Sequence, residues 1–178
     1  DVSSNTALEV LYCGINNLTS LDLTTNIALT ELYCGVNQLT SLDVSSSSAL
    51  EGLYCQNNQL TSLDVSSNTA LTELYCHYNE LECLNVKNGN NTAFVDFNAE
   101  NNQNLTCIEV DDAEWANANW TNIDPQASFS EDCNNDCTNT SSLTELFTSK
   151  NLIKIVDMMG RETSFKPNTP LILSLIHI

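Results

Sequence analysis

The chain has 178 residues, with 23 acidic side chains against five lysines and arginines, for a formal charge of −18. So acidic a surface repels phosphate backbones and anionic headgroups, which argues against nucleic acid and lipid-surface partners and leaves cations, cationic partners and neutral glycans admissible. The charge is uneven: Lys87 is the single base before residue 150, against 21 acids, whereas residues 150–178 carry four bases and two acids.

From Asp1 a 21-residue phrase runs four times without insertion: DVSSNTALEVLYCGINNLTSL, DLTTNIALTELYCGVNQLTSL, DVSSSSALEGLYCQNNQLTSL and DVSSNTALTELYCHYNELECL. Self-similarity at a fixed short period marks a solenoid, in which stacked copies supply one another's core. The first copy has its apolar positions at Leu8, Leu11, Cys13, Leu18 and Leu21, followed by Leu23, with Asn16 between them. The spacing L-x-x-L-x-C-x-x-N-x-L resembles the leucine-rich repeat signature, and the resemblance covers Asp1 to about Val110. Leu18 to Asn26 repeats the same grammar, as in the nested 21-residue bacterial class of that family. The expected fold is therefore a leucine-rich repeat solenoid with few or no helices in the repeats. Each turn carries a short parallel strand near Val10–Gly14 and another near Leu21–Leu23, so that two sheets face each other.

Alternation along a strand sends Leu11, Leu32, Leu53 and Leu74 inward, together with Cys13, Cys34, Cys55 and Cys76. Thiols one turn apart, about 4.8 Å, stack as small buried hydrophobes and lack the geometry for disulfides or the partners for a metal site. Asn16, Asn37, Asn58 and Asn79 form a ladder that satisfies backbone groups at the turns. Asn5, Asn26 and Asn68 do the same on the second side, with Ser47 the exception.

Between the inward positions an outward row appears: Tyr12, Tyr33, Tyr54 and Tyr75. One flank carries Val10, Glu31, Gly52 and Glu73; the other carries Gly14, Gly35, Gln56 and His77, and beyond it Ile15, Val36, Asn57 and Tyr78. Tyrosines flanked by carboxylates, with small residues leaving room, suit sugar rings or a cationic peptide. The same row is also what good strand residues in a near-identical repeat produce. Tyr12, Tyr33, Tyr54, Tyr75, Glu31, Glu73, Gln56 and His77 are the candidate ligand-binding residues. On the second side Ser20, Ser41, Ser62 and Cys83 are expected outward, beside Asp22, Asp43 and Asp64. That aspartate column is a weak candidate for calcium, since the glycine-rich loops of calcium-binding rolls are missing; solvated carboxylates are the expectation, and no cofactor is predicted.

The period breaks after Leu84 at a polar loop, Asn85 to Thr92, with Gly89 at a turn. It resumes as Phe94-x-x-Phe97-x-Ala99-x-x-Asn102, with Leu105, Ile108 and Val110 closing the core. Four cysteines lie outside the inward column, Cys83, Cys107, Cys133 and Cys137, and admit three complete pairings. Cys83 and Cys107 occupy equivalent positions in neighbouring turns and are one competing pair. The stretch NLTCIEVDD, then NWTNID and SEDC, resembles the closing segment of repeat surface proteins of the Bacteroidetes phylum. That resemblance implies a cap in which Cys107 pairs with Cys133 while Trp115, Trp120 and Phe129 cover the last turn. Any such bond implies an oxidising compartment.

Asn134 to Ser142 reads as a polar linker. Beyond it Lys154-Ile-Val-Asp157-Met-Met-Gly160-Arg161-Glu162 and Asn168-Thr-Pro-Leu171 resemble the start of the C-terminal sorting domain of type IX secretion cargo. The family's closing strands are absent, and Leu171 to Ile178 departs from its pattern. The resemblance implies handling by the type IX secretion machinery and a secreted or cell-surface location on the outer face of a Gram-negative bacterium. The organisation expected is solenoid 1–110, cap 111–133, linker 134–142 and partial sorting tail 143–178. The open first repeat reads as part of a longer protein. No catalytic constellation stands out: His77 belongs to an outward column, and its neighbour Cys76 points inward. The expectation is a non-enzymatic module that binds a protein or glycan through the tyrosine sheet, with a passive spacer of a larger surface protein as the alternative.

Overall fold

In the computed structural model the described residues are 1–134 and Cys137, with the backbone of two further short strands. The elements are β1 (Val10–Tyr12), β2 (Glu31–Tyr33), β3 (Gly52–Tyr54), β4 (Ser62–Asp64), β5 (Glu73–Tyr75), β6 (Cys83–Asn85), β7 (Asp96–Asn98), β8 (Cys107–Glu109), α1 (Ala113–Asn119), β9 (Ser128–Ser130), β10 (Ile155–Val156) and β11 (Ile172–Leu173). Strands β1-β2-β3-β5-β7 form one parallel sheet and β4-β6-β8-β9 a second. The chain is a parallel-strand solenoid in two sheets, and its register stacks like residues: Leu11 on Leu32, Leu32 on Leu53, Leu53 on Leu74, Leu74 on Phe97.

The core lies between the sheets. Leu29, Leu50 and Leu71, Leu39, Leu60 and Leu81, and Val44, Val65 and Val86 run through it as columns, together with Cys34, Cys55 and Cys76. A thin two-sided core leaves each turn's backbone ends facing inward, and the asparagines satisfy them. Asn58 Nδ2 donates to Cys34 and Cys55 carbonyls, while its Oδ1 accepts from the Leu39 amide. Asn37, Asn79 and Asn102 repeat the arrangement. On the second side Asn26 and Asn68 donate to carbonyls of the preceding turn, and the Ser47 hydroxyl donates to the Asn26 carbonyl.

Two expectations are corrected. The second strand does not occur in every turn: it is absent at Leu21–Leu23 and Leu42–Val44 and begins at Ser62. Leu23, Leu42 and Val44 are buried all the same, and the turns after Leu23 and Val44 close with the bond seen after Val2, the Asn26 amide donating to the Leu23 carbonyl and the Ser47 amide to that of Val44. The first pairing in this sheet is that of β4 with β6, whose Cys83 is bonded to Cys137. Ser62 is the second correction. Ser20 and Ser41 are exposed, but Ser62, opposite Cys83 in the ladder, is only 9% exposed. Cys83 is bonded to Cys137, which is itself buried.

The loop after Leu84 turns at Gly89, at φ 78°; Asn91 there donates to the Val86 carbonyl and exchanges hydrogen bonds with Asp111. The cap adds β9 in parallel to β8, placing Phe129 beside Ile108. Helix α1 starts at Asp112, whose carboxylate accepts from the Trp115 amide as an N-cap. Trp120 lies flat on Phe97, 4.2 Å apart, with Phe94, Phe129 and Trp115 around it. Cys107 is bonded to Cys133, with Cα atoms 5.8 Å apart, and Cys83 to Cys137 at 5.4 Å; the competing Cys83–Cys107 pair does not form. Among the described residues no helix is long and apolar enough to cross a membrane. Residues Asn139–Ile178 form a separate compact unit, in which β10 and β11 pair antiparallel, Ile155 opposite Leu173 and Val156 opposite Ile172. The rest of the expected linker and sorting tail lies outside the described residues.

Candidate functional site

The outer face of the first sheet carries the tyrosines. Each sits at the end of a strand whose preceding leucine faces the core, so the ring must point outward. The rings stack in sequence: Tyr12 on Tyr33 at 4.3 Å, Tyr33 on Tyr54 at 4.2 Å and Tyr54 on Tyr75 at 5.2 Å, tilted by no more than 17°. Tyr12, at the end of the row, is 71% exposed.

The hydroxyls follow the flanking column. Tyr33 donates to Glu31 on its own strand at 2.7 Å. Gly52 removes the equivalent carboxylate for Tyr54, whose ring leans over it: a Cβ at Gly52 would meet Tyr54 Cε2 at 3.0 Å. Tyr54 therefore donates to Glu73 of the next turn, and Tyr75, its own-strand partner taken, donates to Asp96 one turn further. Hydrogen bonding to Glu31 holds the Tyr33 phenol well above its ordinary range; Asp96 pushes Tyr75 up to about 12, and Tyr54 is raised by burial and by Glu73. These rings are neutral over the physiological range, and their hydroxyls are drawn to the carboxylate flank.

That lean opens a groove on the opposite flank, about 330 Å³ in volume. Its walls are Tyr12, Tyr33 and Tyr54 on one side and Ile15 and Val36 on the other. Gly14 and Gly35 form its floor, and Gln56 closes one end. The Gln56 side chain lies over Gly35, where a Cβ would meet its Cδ at 2.9 Å, so a larger residue at 35 pushes it out. Gln56 Oε1 and His77 Nδ1 are shielded from water without a hydrogen-bond partner. His77, packed edge-on to Tyr75 and Tyr78, has its pKa lowered by burial.

In the sequence Ile15 and Val36 are only a flanking column; the structure makes them a wall of the groove. Both have positive φ, 54° and 58°, as do Asn57, Tyr78 and Asn101 at the same position of later turns. A β-branched residue in the left-handed region is held at a cost of order 1–3 kcal/mol, which Asn largely escapes. Ile15 is nonetheless 83% exposed and Val36 46%. The sequence signal was present: aliphatic residues in two copies where another has Asn57. Of the predicted site residues, Tyr12, Tyr33, Tyr54 and Gln56 line the groove. Glu31 and Glu73 lie behind the tyrosine ridge as hydroxyl acceptors, and Tyr75 and His77 lie beyond the Gln56 end.

The aspartate column has local work. Asp22, Asp43 and Asp64 each accept from the backbone amide two residues on, Thr24, Ser45 and Ser66, closing the loop after the second side. The Thr24 amide and hydroxyl lower the Asp22 pKa. Among the described residues no three His, Cys, Asp or Glu side chains gather as a metal site. No protein-family model matches the chain, and no curated protein does. Among solved structures, the functional domain of InlJ from Listeria monocytogenes, which includes a cysteine ladder, is similar at 28% identity, with a TM-score of 0.47; the match covers 61% of this chain and 36% of that one.

Proposed function

We propose that the tyrosine face is the recognition surface of a secreted or surface-displayed binding module whose ligand is a protein or glycan. The observation that carries this reading is the groove: an exposed, largely apolar trench on an otherwise acidic solenoid, one wall of which is held in a costly backbone conformation. Binding residues in such surfaces tend to sit where local strain is tolerated, and the strain points to function rather than the reverse. The two disulfides fit an oxidising compartment, and the reading places the module outside the cell, exported by the type IX machinery. It acts by binding, without catalysis.

The double substitution Tyr33→Ser with Tyr54→Ser tests it. Removing both rings abolishes all three ring pairs, a loss of about 1.5–4.5 kcal/mol at about 0.5–1.5 kcal/mol per pair. The leucine columns and asparagine ladder are untouched, so circular dichroism should show the fold retained. On a protein and glycan array, signals of the wild-type repeats should fall at least tenfold in the variant. Signals that persist undiminished would leave the spacer role as the better description.

A further inference from the structure

Resting on the recognition surface just described, we infer that the groove takes an extended basic segment of a partner protein, an aliphatic side chain or side-chain stem lying between the tyrosine ridge and Ile15 and Val36, and that these two residues select it. Three observations lead there. Apart from the outer face of Tyr12, the faces of the three groove tyrosines are already used on one another or on Tyr75, at 4.2 to 5.2 Å. Sandwiching a sugar ring between them needs about 7–8 Å, two carbon contact distances. What the rings show the groove is their edges, and the paired carboxylates that would grip vicinal hydroxyls stand behind the ridge, bound to Tyr33 and Tyr54. Inside the groove the walls are aromatic and aliphatic, with one amide at the end. This lining suits methylenes better than a hydroxylated ring.

Charge sets the rest of the occupant. Lys87 is the one base in residues 1–149, and it is engaged with the Glu131 carbonyl, away from the groove. Glu31 and Glu73 border the ridge, each having one oxygen engaged by a phenol. Lysine or arginine stems in the groove can reach over the ridge to the other oxygen, and flanking bases meet a uniformly negative field. The left-handed position supplies the argument for selection. Asn57 and Asn101 show that asparagine fits it. Aliphatic side chains at Ile15 and Val36 are kept there against strain and exposure, and their yield is the apolar wall.

The test uses fluorescein-labelled heptapeptides of alternating glycine and lysine whose central residue is leucine, arginine or serine, followed by fluorescence anisotropy at moderate salt. Neutral cello-, xylo- and chito-tetraoses are titrated alongside by calorimetry. The leucine and arginine peptides should bind at least tenfold tighter than the serine peptide, which carries the same flanking charge. The variant Ile15→Asn with Val36→Asn keeps the net charge; it should lose that tenfold advantage while melting at or above the wild-type temperature. Equal binding of all three peptides, or a preference surviving in the asparagine variant, overturns the inference. A tetrasaccharide bound in a Tyr33- and Tyr54-dependent manner, without discrimination among peptides, also overturns it and leaves the recognition surface standing. No binding by any probe, with array signals indifferent to Tyr33 and Tyr54, removes both.

Discussion

At the scale of single residues, position along the solenoid decides what the same side chain is worth. Asn58 satisfies the Leu39 amide and two carbonyls from adjacent turns, all away from water, whereas Asn16 bonds only to Cys13 and Gly14 carbonyls of its own exposed turn. An unpaired buried backbone group costs about 1–3 kcal/mol, so Asn58→Ala should lower unfolding free energy by about 3 kcal/mol or more, and Asn16→Ala by less than about 1 kcal/mol. Urea titration of the two variants under identical conditions measures the contrast. This ladder was legible in the sequence because every copy has Asn at one phase. The groove wall was only partly legible. Ile15 and Val36 are visible as a column, but their positive φ goes with amide bonds to the next turn, made by Ile15 and Asn16 in one copy and by Val36 and Asn37 in the other.

At the scale of the element, the cysteine column shows what stacking does to chemistry. Cys34, Cys55 and Cys76 are fully buried, and burial pushes each thiol up, Cys76 to about 12; Cys13, half-buried at the open side, is raised by the same cause. In the unfolded chain a thiol ionises in its ordinary range, about 8.5. Below about pH 8 both states keep the proton and the thiols add no pH dependence. Above about 9 only the unfolded chain loses protons, so stability falls as pH rises toward the folded values, and the raised tyrosine phenols act in the same direction from about 10. The urea midpoint should therefore be flat from about pH 7 to 8 and decline beyond 9. Cys55→Ala should start lower at neutral pH, from the cavity it leaves, yet decline less steeply. Native alkylation followed by mass spectrometry should label Cys13 ahead of the other three, since thiolate access limits the reaction.

At the scale of the whole molecule, the solenoid needs an end. The aromatic cluster of Phe94, Phe97, Trp115, Trp120 and Phe129 closes the core, and β9 extends the second sheet by one strand. The two disulfides tie this end down across separations of 26 and 54 residues. Loops of that order constrain the unfolded chain by about 3–4 kcal/mol each. Replacing Cys107 and Cys133 by serine, or separately Cys83 and Cys137, should lower stability by up to that amount in urea unfolding. The β8–β9 end should lose amide-exchange protection first in the variant lacking Cys107–Cys133. Protection unchanged in β8 and β9 would show that the aromatic cluster closes the end without the bond.

Repetition by itself determined most of the architecture. When Leu11, Leu32, Leu53 and Leu74 recur at one phase, burial demands that they stack, and stacking carries the cysteines, asparagines and tyrosines into parallel columns with them. Where copies differ, the outcome depended on neighbours in space. Gly52 in place of a glutamate turns the Tyr54 hydroxyl to Glu73 of the next turn, and Ser62, whose counterparts Ser20 and Ser41 are exposed, is buried opposite Cys83 where the second ladder begins. The groove belongs to this second kind. It exists because rings lean one way and a left-handed turn lifts two aliphatic side chains on the other, relations between turns that a linear pattern does not contain.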